Sequence, residues 1–281
     1  MKREEYKAIA SEAAAKAKRA KSPFTITVRF LGGLNARQKQ AFKTAADRWS
    51  RVIVGDLPPV IVDGERIDDV LITAEGAAID GVGQILGQAG PTHLRPANAA
   101  KAAFLPARGE MQFDTADLVD MEQNGTLDDV IAHEMGHVLG IGTVWTQKEL
   151  LKGASGSNPT FAGSLAMKEY GALRGTAMLP VPVENTGGAG TRNSHWREAV
   201  FRNELMSGFI AGPGNPLSRV TVASLEDLGY QVDMNAAEAY ALPNLLEVAE
   251  RGLLVPHATA PHPQGTMLPR LPTVLPEDSL V

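Results

Sequence analysis

His133 and His137 are four positions apart in Thr-Leu-Asp-Asp-Val-Ile-Ala-His-Glu-Met-Gly-His-Val-Leu-Gly-Ile-Gly, residues 126–142. On a helix that spacing stacks two imidazoles on one face, roughly 5–6 Å apart at Cβ, where they can share a metal ion. Glu134 follows the first His directly, about 100° further round the helix, so it flanks the ion and stands where a general base would. The His-Glu-x-x-His pattern is the zinc hydrolase signature. Zinc takes neutral imidazoles, keeps a position for water and lowers the pKa of that water towards about 7. The adjacent carboxylate then accepts its proton during attack on a carbonyl.

The elements around this stretch must hold that geometry. Thr126, with Asp129 three residues on, is expected to cap the helix, and Gly140 to end it in a left-handed turn. Gly136, inside the helix, costs about 1 kcal/mol relative to Ala, which close packing against another segment would explain. Of the six histidines, His257 and His262 fall in a Pro-rich tail and His93 in an upstream loop. His195, in Asn-Ser-His-Trp-Arg-Glu, is therefore the best candidate for a third ligand, with Glu204 an alternative. Asp114, Asp117 and Asp120 lack the calcium-loop pattern and read equally well as caps of a helix over 115–122.

Composition narrows the class. With 281 residues, a net charge of −5 and 21% charged residues, nothing suggests a nucleic-acid or anionic-membrane partner. No cysteine is present, which excludes disulfides, thiol catalysis and latency through a thiol on the metal. The N-terminal charges are followed by no apolar core and no run long enough to span a membrane. The chain reads as soluble, either cytoplasmic or exported by a leaderless route.

In order, residues 4–20 favour a helical arm with a thin apolar stripe. Phe24 to Leu31 alternates as a strand, Asn35 caps a helix to Val52, and 60–62 and 70–74 are short strands. Residues 77–106 are Gly-, Ala- and Pro-rich and read as long loops. Gly109 to Asp114 is a strand suited to a cleft edge, where extended peptide can pair. The segment 153–194 is loop-rich, with a short helix near 165–173. Ser218 caps a helix ended by Gly229, and a helix over 235–250 is kinked by Pro243. The Pro-rich end is extended, draped on the surface or lodged in the cleft.

The sequence resembles the leishmanolysin-like branch of the metzincin metallopeptidases, on HEMGHVLGIG at 133–142, VENTGGAGTRNSHWRE at 183–198, NELMSGF at 203–209 and NPLSRVTVASLEDLGY at 215–230. The resemblance implies a third zinc His far beyond the helix, hence His195, and a Met-containing turn beneath one catalytic zinc, hence Met206. It implies an α+β zincin: a mixed twisted sheet with helices above a cleft, and a loop-rich helical half below. The corresponding organisation is an arm at 1–22, catalytic halves at 23–142 and 143–251, and a tail at 252–281. Some metzincins carry a Tyr two residues after the Met; position 208 is Gly. The activity implied is zinc-dependent endopeptidase action on polypeptide, with Glu134 as base. An inert zinc-containing peptide-binding protein is the alternative, against which the retained Glu134 argues.

Overall fold

The computed structural model describes residues 4–188, 190–210, 212–244 and 266–281. Its strands are β1 (Glu4–Ile9), β2 (Thr25–Gly32), β3 (Val60–Val62), β4 (Glu65–Ile67), β5 (Val70–Ala77), β6 (Ile85–Leu94), β7 (Pro106–Asp114), β8 (Leu151–Lys152), β9 (Thr160–Phe161), β10 (Val181–Pro182), β11 (Thr266–Pro269) and β12 (Thr273–Val274). The helices are α1 (Glu12–Ala17), α2 (Ala36–Val52), α3 (Thr115–Asn124), α4 (Leu127–Val138), α5 (Ser164–Leu173), α6 (Glu198–Phe201) and α7 (Arg219–Leu228). The protein is therefore a mixed α+β fold, as the sequence suggests.

The main sheet runs β1-β2-β5-β7-β6-β11. β2, β5 and β7 are parallel, β1 runs antiparallel to β2 and β6 to β7, and β11 and β12 pair parallel with β6. Asn35 starts α2 with a full capping box, its side chain accepting from Gln38 N while Gln38 reaches back. The apolar face of α2, with Ala41, Phe42, Ala45, Ala46 and Trp49, is buried. α2 packs on β1 and β2, α4 packs on β6 and β7, and the two helices pack on each other. The Trp49 indole donates to Ala132 O at 2.8 Å and so fixes α4 against α2.

Four local expectations are corrected. Residues 4–9 form a strand rather than a helical arm, because pairing along β2 buries Ala8 and lets Tyr6 donate to Asp47, which outweighs local helix propensity. Residues 85–94, expected as loop, are β6; their Gly and Pro residues hide the alternation, and the partner β7 supplies the order. β7 is consequently an interior strand, and the cleft side of the sheet belongs to β6. Of the helix expected over 235–250, only a turn at Met234–Ala236 forms within the described residues, and 245–250 lie outside them. Asp233 caps the start of this turn, its side chain accepting from Asn235 N.

The second half of the chain is held by aromatic packing. Trp196 stacks on Trp145 at 4.8 Å between centroids and meets Phe161 edge-on at 5.6 Å, while α5 lies against α7. α7 begins at the Ser218 cap and stops at left-handed Gly229, as its sequence indicates.

Candidate metal centre

α4 presents His133 and His137 one turn apart, and the loop before α6 brings His195 to meet them. The three Nε2 atoms are 2.9 to 3.0 Å from one another, and all three side chains are buried. Among the described residues, these three histidines form a group able to hold a metal ion.

Each ring is oriented by a backbone carbonyl behind it. His133 Nδ1 lies 2.6 Å from Leu205 O, His137 Nδ1 2.9 Å from Ile141 O, and His195 Nδ1 3.0 Å from Thr191 O. A carbonyl can only accept, so each Nδ1 carries the proton and donates it. Every Nε2 is then left with a bare lone pair, and three such lone pairs meet with no hydrogen between them. That contact is repulsive unless a cation sits among them. Nitrogens at this spacing are all within reach of one ion at the zinc–imidazole distance of about 2.0–2.1 Å, so the three would hold it together. The donor set fits zinc.

The glycines of the motif have structural reasons. Gly140, at φ +109°, turns the chain at the end of α4, and Ile141 N returns to Gly136 O at 3.1 Å. This same turn delivers the Ile141 carbonyl to His137. At Gly136 an added Cβ would lie 2.7 Å from Met206 Sδ and 2.9 Å from the Trp49 ring. Met206 therefore packs directly against the helix at Gly136. Gly142, at φ +75°, lets the Ser194 carbonyl approach where a Cβ would collide.

His195 is held from both sides. Its carbonyl accepts from Glu184 N at 2.9 Å, and Trp196 N donates to Met206 O at 2.9 Å. The turn at 204–207 thus supports His133 through Leu205 O and the neighbour of His195 through Met206 O. Glu204 is not a fourth member of the cluster. Its buried carboxylate accepts from Met206 N at 2.6 Å, from Ser218 N at 3.0 Å and from the hydroxyls of Ser218 and Thr221, tying the turn to α7. Burial pushes its carboxyl above the usual range, opposed by these donors.

Glu134 is buried and lines the same groove as the three histidines, with Leu86 and Ala89 of β6 along one wall. The groove encloses about 360 Å³. Burial pushes the Glu134 carboxyl up to about 8 and the His137 imidazole down to about 4. A dication at the cluster opposes the first shift and reinforces the neutral form of the ring.

The leishmanolysin peptidase family model matches residues 100–247, more than half of the chain. The chain belongs to the leishmanolysin family. Membership makes it a metallopeptidase-type hydrolase of a zinc-dependent family, with polypeptide as substrate. No curated protein matches the chain.

Among the other candidates, His93 sits on β6 with Nδ1 3.1 Å from Thr92 Oγ1 and takes no part in the three-histidine cluster. His257 and His262 lie outside the described residues. Thr126 does not cap α4 through its side chain; Asp129 instead accepts from Gly214 N at 2.6 Å and from Asn215, anchoring that loop. Asp114 caps α3 and also accepts from Ile79 N and Asp80 N, while Asp117 accepts from Gly83 N rather than capping the helix. The three carbonyls behind the rings have no signal in the sequence, because any residue type supplies one. Glu184 has a weak signal, standing in the motif stretch that ends at His195. No helix among the described residues is long and apolar enough to cross a membrane.

Proposed function

We propose that the protein is a zinc endopeptidase in which His133, His137 and His195 hold one catalytic ion and Glu134 is the general base. The reading is carried by the convergence of three unprotonated Nε2 atoms within 3.0 Å, beside a buried carboxylate on the same groove. A bound zinc would supply a Lewis acid that acidifies water and polarises the scissile carbonyl.

The chain's own groups do the rest. Glu134 accepts a proton from the attacking water as hydroxide adds to the carbonyl carbon. It then returns that proton to the leaving nitrogen as the C–N bond breaks. A dication at the cluster would favour the ionised carboxylate that accepts this proton, against the burial that pushes the carboxyl up. The carbonyls behind the three rings keep each Nε2 unprotonated throughout, and Met206 and Gly140 fix the helix and turn from which the rings project. β6 lies along the groove, and its outer edge, paired here with β11 and β12, is the one on which an extended polypeptide would add as a strand.

In this reading the architecture is metzincin-like. The sheet, α2 and α4 of residues 23–142 form one wall of the cleft, and the described residues from 143 to 244 form the other with the third ligand and the Met turn.

Glu134→Ala in zinc-loaded protein is the test. Hydrolysis of a mixed peptide library should fall by at least about 10², with the zinc content unchanged. Equal rates for variant and parent would leave an inert peptide binder.

A further inference from the structure

The C-terminal segment reaches the metal centre. β11 lies along β6, with Met267 opposite Gly87, Leu268 opposite Gln88 and Pro269 opposite Ala89. Beyond it the chain passes Gly90, where an added Cβ would lie 3.3 Å from Arg270 Cβ, and Arg270 reaches across to Glu110 of β7 at 2.7 Å. On the opposite side the tail meets the loop that orients His195, since a Cβ at Gly190 would lie 3.0 Å from Met267 O. Residues 267–272 thereby wall the groove that contains His133, Glu134, His137 and His195.

The two ends of this tail are held very differently. Downstream, Leu275 is buried with Val60, Val62, Ile67 and Leu71, its amide donates to Leu94 O at 2.9 Å, and Val281 N donates to Pro59 O at 3.1 Å. β11 itself is four residues long, its register slips between Thr266 and Met267, and Pro269 has no N–H to give. Leu271 is 93% exposed. The Arg270–Glu110 pair is about a third exposed, where water weakens it. A firmly docked end thus carries a weakly paired strand over the β6 edge, and it does so outside the 100–247 span shared with the family.

We propose that residues 266–272 are a built-in blocker: with 266–269 paired to β6 and 270–272 walling the groove, they occupy the edge on which an extended polypeptide would add as a strand, and they must be displaced before substrate can enter. An edge strand has one unpaired row of N–H and C=O groups, and two chains cannot use it together. The blockade rests on the peptidase reading for its purpose, while occupancy of the edge is independent of catalysis.

The test uses the full chain carrying Met267→Asp with Arg270→Glu, which places acidic groups against the groove wall and Glu110. Relative to the parent, the zinc-loaded double variant should cleave a quenched fluorescent peptide with at least a five-fold higher kcat/KM. Its amides within 85–89 should exchange faster, and it should bind a fluorescent nonapeptide of sequence 266–274, Thr-Met-Leu-Pro-Arg-Leu-Pro-Thr-Val, at least ten-fold more tightly. Parental values for cleavage, exchange and binding overturn the blockade and leave the peptidase reading intact. Tighter nonapeptide binding with no cleavage by either protein sinks the peptidase reading and keeps the blockade. If the double variant does not fold, Arg270→Ala in the full chain is measured in the same three ways: gains in all three support the blockade, and parental values overturn it.

Discussion

Gly142 shows how much of the centre depends on atoms that are not ligands. Its φ of +75° and the approach of the Ser194 carbonyl leave no room for a side chain, and His195 is the next residue after Ser194. Gly142→Ala adds left-handed strain of about 1–2 kcal/mol and pushes the His195 segment away from α4. Zinc content after dialysis, measured by mass spectrometry, should fall well below one ion per chain. Gly188→Ala, in open space on the loop that leads to His195, should retain full zinc. Full zinc in both would show that the 194–195 backbone yields easily. At this scale the sequence discloses what has a fixed spacing: His133, His137 and Glu134 follow from helix geometry, and the cost of Gly136 inside a helix points to the close packing that Met206 and Trp49 provide. His195 needs elimination and family resemblance, because the fold, not the chain, brings position 195 within 3.0 Å of position 133.

The turn at 204–207 is the element on which the centre rests, and Glu204 is what fixes it. Removing this carboxylate strands Met206 N and Ser218 N in a buried site, at about 1–3 kcal/mol for each unsatisfied donor. It also weakens the Ser218 cap of α7. Glu204→Ala should therefore destabilise the protein by about 3–5 kcal/mol while the folded fraction still binds zinc; His195→Ala should do the reverse, losing zinc with a smaller stability cost. Urea midpoints and zinc counts on both variants separate a support from a ligand, and loss of zinc only in Glu204→Ala would invert the assignment. Elements with local signals are legible: α2, α3 and α7 follow from caps and periodicity. β1 and β6 are not, since their order comes from pairing with distant strands. At Gly87 in β6 an added Cβ would strike Gln112 O, so the residue that breaks the strand pattern is the one that permits the pairing.

For the molecule as a whole, what the sequence does not convey is how segments far apart close on each other, the tail on β6 above all. The base of the sheet poses the same problem, and Asp69 is its joint. The buried carboxylate accepts from Thr25 N at 2.8 Å, Thr25 Oγ1 at 2.9 Å and Leu57 N at 2.7 Å. Arg95 beside it donates to the carbonyls of Pro58, Asp68, Asp69 and Pro106. Strand starts at β2, β5 and β7 are thus tied together by two buried polar side chains. Desolvation nevertheless pushes the Asp69 carboxyl up to about 6, above its ordinary range near 4. Between those values the folded chain keeps a proton that the unfolded chain has already lost, so this group's contribution to stability declines as pH rises from about 4 to about 6, by at most about 3 kcal/mol. Asp69→Asn has no proton to lose and strands one of the donors at every pH. Subtracting its urea-unfolding free energies from those of the parent should leave a difference that shrinks across that window and is level above about pH 7. A difference independent of pH would mean that Arg95 and the three donors hold Asp69 ionised throughout.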